Sequence, residues 1–306
     1  MKLLLPREHG AWGILLIPFI TTAAIAPAAA GGDAPVLLCL AAVFLAYLAR
    51  HPLELLLAPQ VKRFYRDAGR APSQREAGEQ EAATSILSSR ALLAWFSLYG
   101  TLGVLVALPL FLTFHRYALL ALVGVGGGFF VLRVLMLRTG AERSLLGEWL
   151  AVPGLALTAP AAWVAATGTL DGTALLFWLL HTLFFSSGIF YVKFRIRVLA
   201  EKRPLGSLWE RVVFAREVII YHVLMVLFAA VVVRIGWASV LPLAARGPEH
   251  WVSWVAALPF LPAAGRALAG VIWLNGRFQI KRLGWSEVAH SLVFAVLLIL
   301  VFGLRN

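Results

Sequence analysis

Two histidine–carboxylate pairs in this 306-residue sequence are each separated by three positions. His51 precedes Glu54, and Glu287 precedes His290, in both cases near the end of an apolar segment. Residues three apart lie on the same face of a helix, so each pair would present an imidazole and a carboxylate together. Helical bundles build metal sites from such groups on facing helices. The spacing therefore raises the hypothesis of a divalent metal with these four side chains as tentative ligands.

Further ionisable side chains lie at the boundaries of other apolar segments. Glu8 and His9 precede the first segment, and Glu217 and His222 open a later one. Carboxylates and imidazoles can transfer protons to and from a substrate, so we predict acid–base catalysis by these four residues. The groups predicted to hold an anionic substrate head are Arg50, Lys193, Arg195, Arg216 and Asn275.

A structural role is the alternative for each of these groups, because charged side chains at a membrane boundary can snorkel, cap helices or form salt bridges. We prefer that interpretation for any single arginine. The glutamates and histidines taken together favour function, since snorkelling to anionic head groups does not suit Glu. A charge at membrane depth costs about 2.5–3.5 kcal/mol on insertion scales, so we expect these groups to face a polar cavity.

The composition excludes a soluble domain. The chain is 61% hydrophobic and 14% charged, with a mean hydropathy of +0.84. Soluble domains are about half apolar and a quarter charged. A bilayer accommodates the excess, at about 20 apolar residues per crossing. We therefore predict an all-α, polytopic membrane helical bundle that forms a single transmembrane domain over residues 1–306.

The apolar segments predict nine transmembrane helices and an orientation. All but four of the 27 Lys and Arg residues fall on one side of the predicted bundle. This bias places the N-terminus on the cytoplasmic side of the cell membrane and the C-terminus on the outer side. The net charge of +12 then reflects topology rather than nucleic-acid binding. Long basic cytoplasmic loops are predicted at 58–90, after helix 2, and 193–212, after helix 6. The predicted spans are about 11–30, 35–57, 91–113, 117–136, 146–167, 172–192, 213–235, 252–274 and 285–303.

Cysteine chemistry and nucleophilic catalysis have no motif in this sequence. Cys39 is the only cysteine, so the sequence supports neither a disulfide nor a CxxC metal motif. No GxSxG or SxxK motif points to nucleophilic catalysis.

His181 lies in the middle of a span, where it could be a heme or metal ligand, a proton-relay group, or a buried histidine bonded to a neighbouring hydroxyl. We predict the last of these.

Two sequence segments resemble a known family. The segment Pro6-Arg7-Glu8-His9-Gly10-Ala11-Trp12, followed by an apolar span containing Pro18, resembles the opening of the YwiC-like bacterial membrane proteins. The segment 280–291 is similar to the last helix of that family. The two segments bracket almost the whole chain, so the resemblance extends over its full length. It implies no particular biochemical activity.

The predicted architecture also resembles that of the UbiA-type prenyltransferases, which have nine helices and their longest cytoplasmic loops after helices 2 and 6. That resemblance implies an isoprenoid diphosphate held through Mg²⁺ by two Asp-rich motifs in those loops. The chain departs from this pattern, because its only aspartates are Asp33, Asp67 and Asp171, and Asp67 alone lies in such a loop. The likeness is therefore one of fold.

Three functions are compatible with these features. The leading hypothesis is a membrane-embedded enzyme or binding protein that takes an isoprenoid- or quinone-like amphiphile from the bilayer into a cytoplasm-facing polar cavity. The second is a metal- or heme-binding protein of a respiratory chain. The third is a small-solute transporter, with His181 and Arg266 on the pathway. The sequence predicts neither the cofactor nor the oligomeric state.

Overall fold

The computed structural model of the protein describes residues 9–27, 32–57, 88–141, 144–201, 206–240, 255, 257–273 and 280–303. Within these ranges every regular element is helical. A short 3₁₀ turn, Leu258–Phe260, precedes the tenth α-helix. The α-helices are α1 His9–Ile25, α2 Ala34–Leu57, α3 Ser89–Leu112, α4 Leu119–Thr139, α5 Leu145–Ala156, α6 Thr158–Thr167, α7 Gly172–Ala200, α8 Leu208–Phe214, α9 Arg216–Val240, α10 Leu261–Ile272 and α11 Ile280–Gly303.

The helix lengths confirm the all-helical membrane architecture. Six helical segments of the described chain are long and apolar enough to cross a bilayer, and α8 with α9, bent by 71°, would make a seventh. Two shorter apolar segments, Gly10–Ile25 and Leu258–Ile272, coincide with the first and eighth predicted spans. Each predicted span therefore overlaps a helix. The number of nine crossings and the orientation stay predictions.

Local sequence explains where several helices begin and end. Ser88, Ser144 and Ser207 accept hydrogen bonds from backbone N–H groups at the starts of α3, α5 and α8. Such caps satisfy donors that the first helical turn leaves unpaired. The helices α4 and α6 end at Gly140 and Gly168, whose φ values of 73° and 85° lie in the left-handed region that glycine tolerates.

Helix α7 corrects the boundary of the predicted loop 193–212. It contains 29 residues and continues through Lys193 to Ala200, so only the second part of that interval connects helices. The stretch from Lys193 to Ala200 contains no Gly or Pro that would end the helix. At 1.5 Å per residue, α7 is about 43 Å long and exceeds the roughly 30 Å of a hydrocarbon core. Its last turns can therefore extend beyond the lipid.

The helices α5 and α6 form one span with a break at Leu157. Pro160 has no N–H to offer the carbonyl of Ala156, so regular helical bonding stops there. The indole of Trp178 on α7 donates to the carbonyl of Pro153 at 2.8 Å and thereby satisfies an acceptor beside the break. A neighbouring helix thus compensates for the broken ladder, as membrane interiors require.

The core is built around α6 and α7. Ala162 and Val164 on α6, and Phe177 and Leu180 on α7, are fully or almost fully buried. The helices α3 and α4 instead carry many exposed apolar side chains, among them Val104, Leu112 and Val123. Contact with lipid accounts for this exposed apolar surface, because soluble proteins rarely expose such a large one to water. The central helices therefore pack against protein and α3 and α4 face lipid.

A buried hydrogen bond confirms the prediction for His181. Its Nδ1 lies 2.7 Å from the carbonyl oxygen of Phe177, and its Nε2 lies 2.8 Å from the hydroxyl of Thr21 on α1. The side chain is completely buried. His181 is therefore bonded to a neighbouring hydroxyl and ties α7 to α1 in the core.

Candidate functional site

Ion pairs between different helices lie at one end of the bundle. One pair joins the ends of α2 and α4. Two more join the last turns of α7 to the starts of α5 and α9, and a fourth joins α10 to the first turns of α11. The predicted orientation places this end at the cytoplasm. We call it the charged end and define it by Glu54–Arg133 (3.0 Å), Glu148–Lys193 (3.2 Å), Arg197–Glu217 (3.1 Å) and Arg266–Glu287.

The first cluster of the charged end surrounds Glu54. This carboxylate is 5% exposed, accepts a hydrogen bond from Nε of Arg133 at 3.0 Å, and lies 3.4 Å from Nε of Arg50. The guanidinium of Arg50 also lies 4.7 Å from the ring centroid of Tyr47. One buried carboxylate thus orients two arginines that come from different helices.

Both arginines line a cavity of about 100 Å³ between α2, α4 and α5, which we call the arginine cavity. Its other walls are largely apolar, and Gly154 on α5 helps to shape them. A Cβ at Gly154 would lie 3.0 Å from Cβ of Phe129, so glycine allows α4 and α5 to approach closely. The apolar lining residues include Phe129, Phe130, Met136, Leu150 and Leu155.

The second cluster surrounds Arg266 on α10. Its guanidinium pairs with Glu287 on α11 and lies 4.2 Å from the ring centroid of Tyr191 on α7. Two glycines permit this contact between three helices. A Cβ at Gly270 would lie 3.0 Å from the Tyr191 ring, and one at Gly188 would lie 3.0 Å from Oε2 of Glu287. We call this group the Arg266 cluster.

Two histidines border the Arg266 cluster. Nδ1 of His222 lies 2.7 Å from the carbonyl oxygen of Val218, and Nδ1 of His290 lies 2.7 Å from that of Ser286. A carbonyl only accepts, so Nδ1 carries the proton and Nε2 of each neutral imidazole carries a lone pair. Val218 packs in the same buried cluster as Tyr191, whose ring lies under the guanidinium of Arg266. His222 and His290 therefore present hydrogen-bond acceptors beside a guanidinium.

The structure places the predicted catalytic residues in different surroundings. Glu217 is exposed and pairs with Arg197, whereas His222 is buried beside the Arg266 cluster. Glu8 lies outside the described residues. His9 begins α1, and its side chain also lies outside the described part of the chain. The catalytic assignment of these four residues stays a prediction.

The predicted substrate-binding residues are likewise distributed. Arg50 lines the arginine cavity, and Lys193 pairs with Glu148. Arg195 is buried on α7, while Arg216 is exposed at the start of α9. Asn275 lies outside the described residues. Arg50 is therefore a predicted binding residue that lines a cavity.

The two carboxylates among the tentative metal ligands contact arginines. Glu54 contacts Arg50 and Arg133, and Glu287 pairs with Arg266. Among the residues that the structure describes, no three His, Cys, Asp or Glu side chains are grouped so that they could hold a metal ion. The set of His51, Glu54, Glu287 and His290 therefore stays a prediction, and the arginine contacts do not favour it.

Arg133, Tyr191 and Arg266 complete the two clusters but are absent from the predicted binding and catalytic residues. Glu54 and Arg133 are 79 positions apart, and Arg266 and Glu287 are 21 apart. No local spacing reveals such pairs. The available signal was the presence of arginines within apolar segments, which is rare unless they face a partner or a polar cavity.

Comparison with known proteins decides the family. The model of a family described as "YwiC-like protein" matches residues 5–163, slightly more than half of the chain. The chain belongs to the YwiC-like family. The uncharacterized protein YwiC of Bacillus subtilis (strain 168) is 27% identical over 306 residues, which cover 98% of both chains. No solved structure matches the chain. The predicted YwiC-like resemblance is thus confirmed, and the UbiA resemblance receives no support.

The matched family region contains the whole lining of the arginine cavity, from Arg50 to Leu155. It also contains the opening segment Pro6–Trp12. Within α1, Trp12 packs against Tyr47, with ring centroids 4.7 Å apart, and Tyr47 contacts Arg50. Trp12, the last residue of the opening YwiC-like segment, therefore packs beside the wall of the arginine cavity.

Proposed function

We propose that this YwiC-like protein is a membrane-embedded enzyme or binding protein that receives an isoprenoid- or quinone-like amphiphile with an anionic head. The head lies in the arginine cavity, and the apolar tail lies along the lipid-facing helices. The cavity is at the charged end, which the distribution of Lys and Arg predicts to face the cytoplasm. The charged end would then be where the substrate meets cytoplasmic reactants.

The observation that carries this proposal is the combination of two arginines with apolar walls in one cavity. Guanidinium groups match phosphate and carboxylate oxygens with paired hydrogen bonds. Glu54 limits the freedom of Arg50 and Arg133 and so prepares them for a ligand. A purely structural salt bridge would not require an adjoining cavity.

The size of the cavity fits a head group better than a whole lipid. About 100 Å³ accommodates a phosphate and a few neighbouring atoms, whereas drug-sized pockets have about 300–1,000 Å³. The tail must therefore leave the cavity along an apolar surface. Helix α4, which supplies Phe129 and Phe130, has an exposed apolar face formed by Val123, Val131 and Leu135.

The test is the binding of radiolabelled farnesyl phosphate to the full chain in phosphatidylcholine nanodiscs, with farnesol as the uncharged control ligand. Arg133→Ala should weaken binding of farnesyl phosphate by about tenfold or more, because a hydrogen bond to a charged group contributes roughly 1.5–3 kcal/mol. Farnesol binding should change little, since it lacks the anionic head.

Arg138→Ala is the matched control variant. Arg138 lies on the same helix, is exposed, and donates to the carbonyl of Leu57 outside the cavity. Its removal should leave the affinity for farnesyl phosphate close to that of the wild type. Equal effects of the two substitutions, or an absence of saturable binding to the wild type, would contradict the proposal.

A further inference from the structure

A second polar site lies in the Arg266 cluster, and none of its residues lines the arginine cavity. Two buried polar atoms, Nε of Arg266 within the cluster and Nε2 of His222 at its border, have no hydrogen-bond partner within the described part of the chain. The side chain of Arg266 is 10% exposed and His222 is 4% exposed, so bulk water does not readily form hydrogen bonds with them. Native structures seldom leave such atoms unsatisfied, so we expect a bound group to pair with them.

The two atoms have complementary hydrogen-bonding character. Nδ1 of His222 faces the carbonyl of Val218 and carries the proton, so Nε2 is an acceptor. Nε of Arg266 always carries a hydrogen and is a donor, while its NH1 already serves Glu287. A single group that reached both atoms would have to accept a hydrogen bond from Arg266 and donate one to His222.

The charges of the cluster disfavour two classes of ligand. A metal cation would be repelled by Arg266, whose guanidinium already has Glu287 as a counter-ion. An anion would face the lone pair of His222 and the carboxylate of Glu287. An uncharged hydroxyl fits both positions, because its oxygen accepts from Arg266 and its hydrogen is donated to His222.

We infer that the Arg266 cluster binds the hydroxyl group of an uncharged, lipid-soluble alcohol or phenol. The surrounding helices expose apolar side chains to lipid, including Ile220 and Leu224 on α9 and Leu268 on α10. A ligand in the bilayer would therefore approach these helices along apolar side chains. The ring of Tyr191, under the guanidinium of Arg266, adds an aromatic wall.

This site discriminates between hydroxyls and groups that only accept. An ether or a carbonyl oxygen can serve Arg266 but leaves Nε2 of His222 without a donor. The protein should therefore bind a phenol more tightly than its methyl ether. The site does not depend on the anionic amphiphile proposed for the arginine cavity, because the two share no residue.

The experiment compares three probes with one tail: 4-octylphenol, 4-octylanisole and 4-octylbenzoate. Each is titrated into the full chain in phosphatidylcholine nanodiscs, and partitioning into empty nanodiscs is subtracted. The wild type should bind octylphenol about tenfold more tightly than octylanisole, which corresponds to one hydrogen bond to a buried acceptor. Octylbenzoate should bind more weakly than octylphenol.

Variants assign the preference to one atom. His222→Leu should reduce the phenol-to-anisole ratio to about one, and His222→Gln should restore part of it through the amide oxygen. His181→Leu is the matched control, since His181 has the same Nδ1 contact but its Nε2 already meets Thr21. That variant and Arg133→Ala should keep the wild-type ratio.

The proposal is overturned if the wild type binds octylphenol and octylanisole equally, as it would if only water occupied the site. That comparison needs no variant and so remains decisive if His222→Leu does not fold. A ratio that survives His222→Leu in folded protein also overturns the proposal. Loss of farnesyl phosphate binding in Arg133→Ala with an unchanged phenol ratio would separate the two sites.

Discussion

The two ends of the bundle use their polar side chains differently. At the end opposite the charged end, Arg116 donates to the carbonyls of Ala165 (3.1 Å) and Ala166 (3.3 Å) in the last turn of α6. Asp171 accepts from the backbone N–H groups of Thr173 and Ala174 at the start of α7. Side chains at this end thus satisfy the backbone groups that helix termini leave unpaired.

The charged end also has such caps, for example at Ser144, but its side chains in addition pair with side chains of other helices. Glu54 contacts two arginines, and Arg266 is buried between Glu287 and Tyr191. Helix termini do not require such pairs, and desolvation makes buried ion pairs poor sources of stability. The additional interhelical pairs at the charged end agree with the proposal that this end serves binding.

The largest expected effect is at the buried ion pair of the charged end. Glu287→Ala should destabilise the protein by about 3 kcal/mol, because it leaves the guanidinium of Arg266 buried without its counter-ion. The double variant Arg266→Met/Glu287→Leu should recover most of that loss, since it removes both charges. Unfolding titrations in mild detergent would measure both changes.

If the double variant is as unstable as Glu287→Ala, the pair itself stabilises the fold, and the contrast between the two ends disappears. The same titrations should then be repeated with Arg266→Met alone. That variant removes the buried cation but leaves the partly exposed Glu287 in place, so its cost should be smaller than that of Glu287→Ala.

A smaller effect is expected at the opposite end. Asp171→Ala removes the side chain that caps α7 and should destabilise the protein by about 1 kcal/mol. Binding of farnesyl phosphate and octylphenol to the folded variant should stay at the wild-type level, because Asp171 serves backbone groups and the indole of Trp163. A marked loss of either affinity would show that the opposite end also contributes to binding.

The sequence predicts much of the fold because the relevant signals are local. Apolar runs located the helices, and Ser and Asp residues before them act as caps. His181 could be assigned to a hydrogen bond because a mid-span imidazole needs a partner. Its partner Thr21, 160 positions away, could not be identified, since that pairing depends on how α1 packs against α7.

The candidate site was less predictable for the same reason. His51 and Glu54 lie on α2 at the predicted spacing, but Glu54 is engaged by Arg133 from α4. Glu287 and His290 share α11, but Arg266 from α10 takes the carboxylate. Spacing along one helix showed which groups point the same way. Only the packing of helices showed which partner they meet.

The most direct test of the account is to determine which side of the membrane each end of α7 faces. With the buried Cys39 replaced by Ala, single cysteines at Thr169→Cys and Ala200→Cys would mark the two ends, since both positions are exposed. A membrane-impermeant maleimide applied to intact cells should label Thr169→Cys at once. It should label Ala200→Cys, at the charged end, only after permeabilisation. The reverse pattern would place the charged end outside, and labelling of both positions from one side would contradict a membrane-spanning α7.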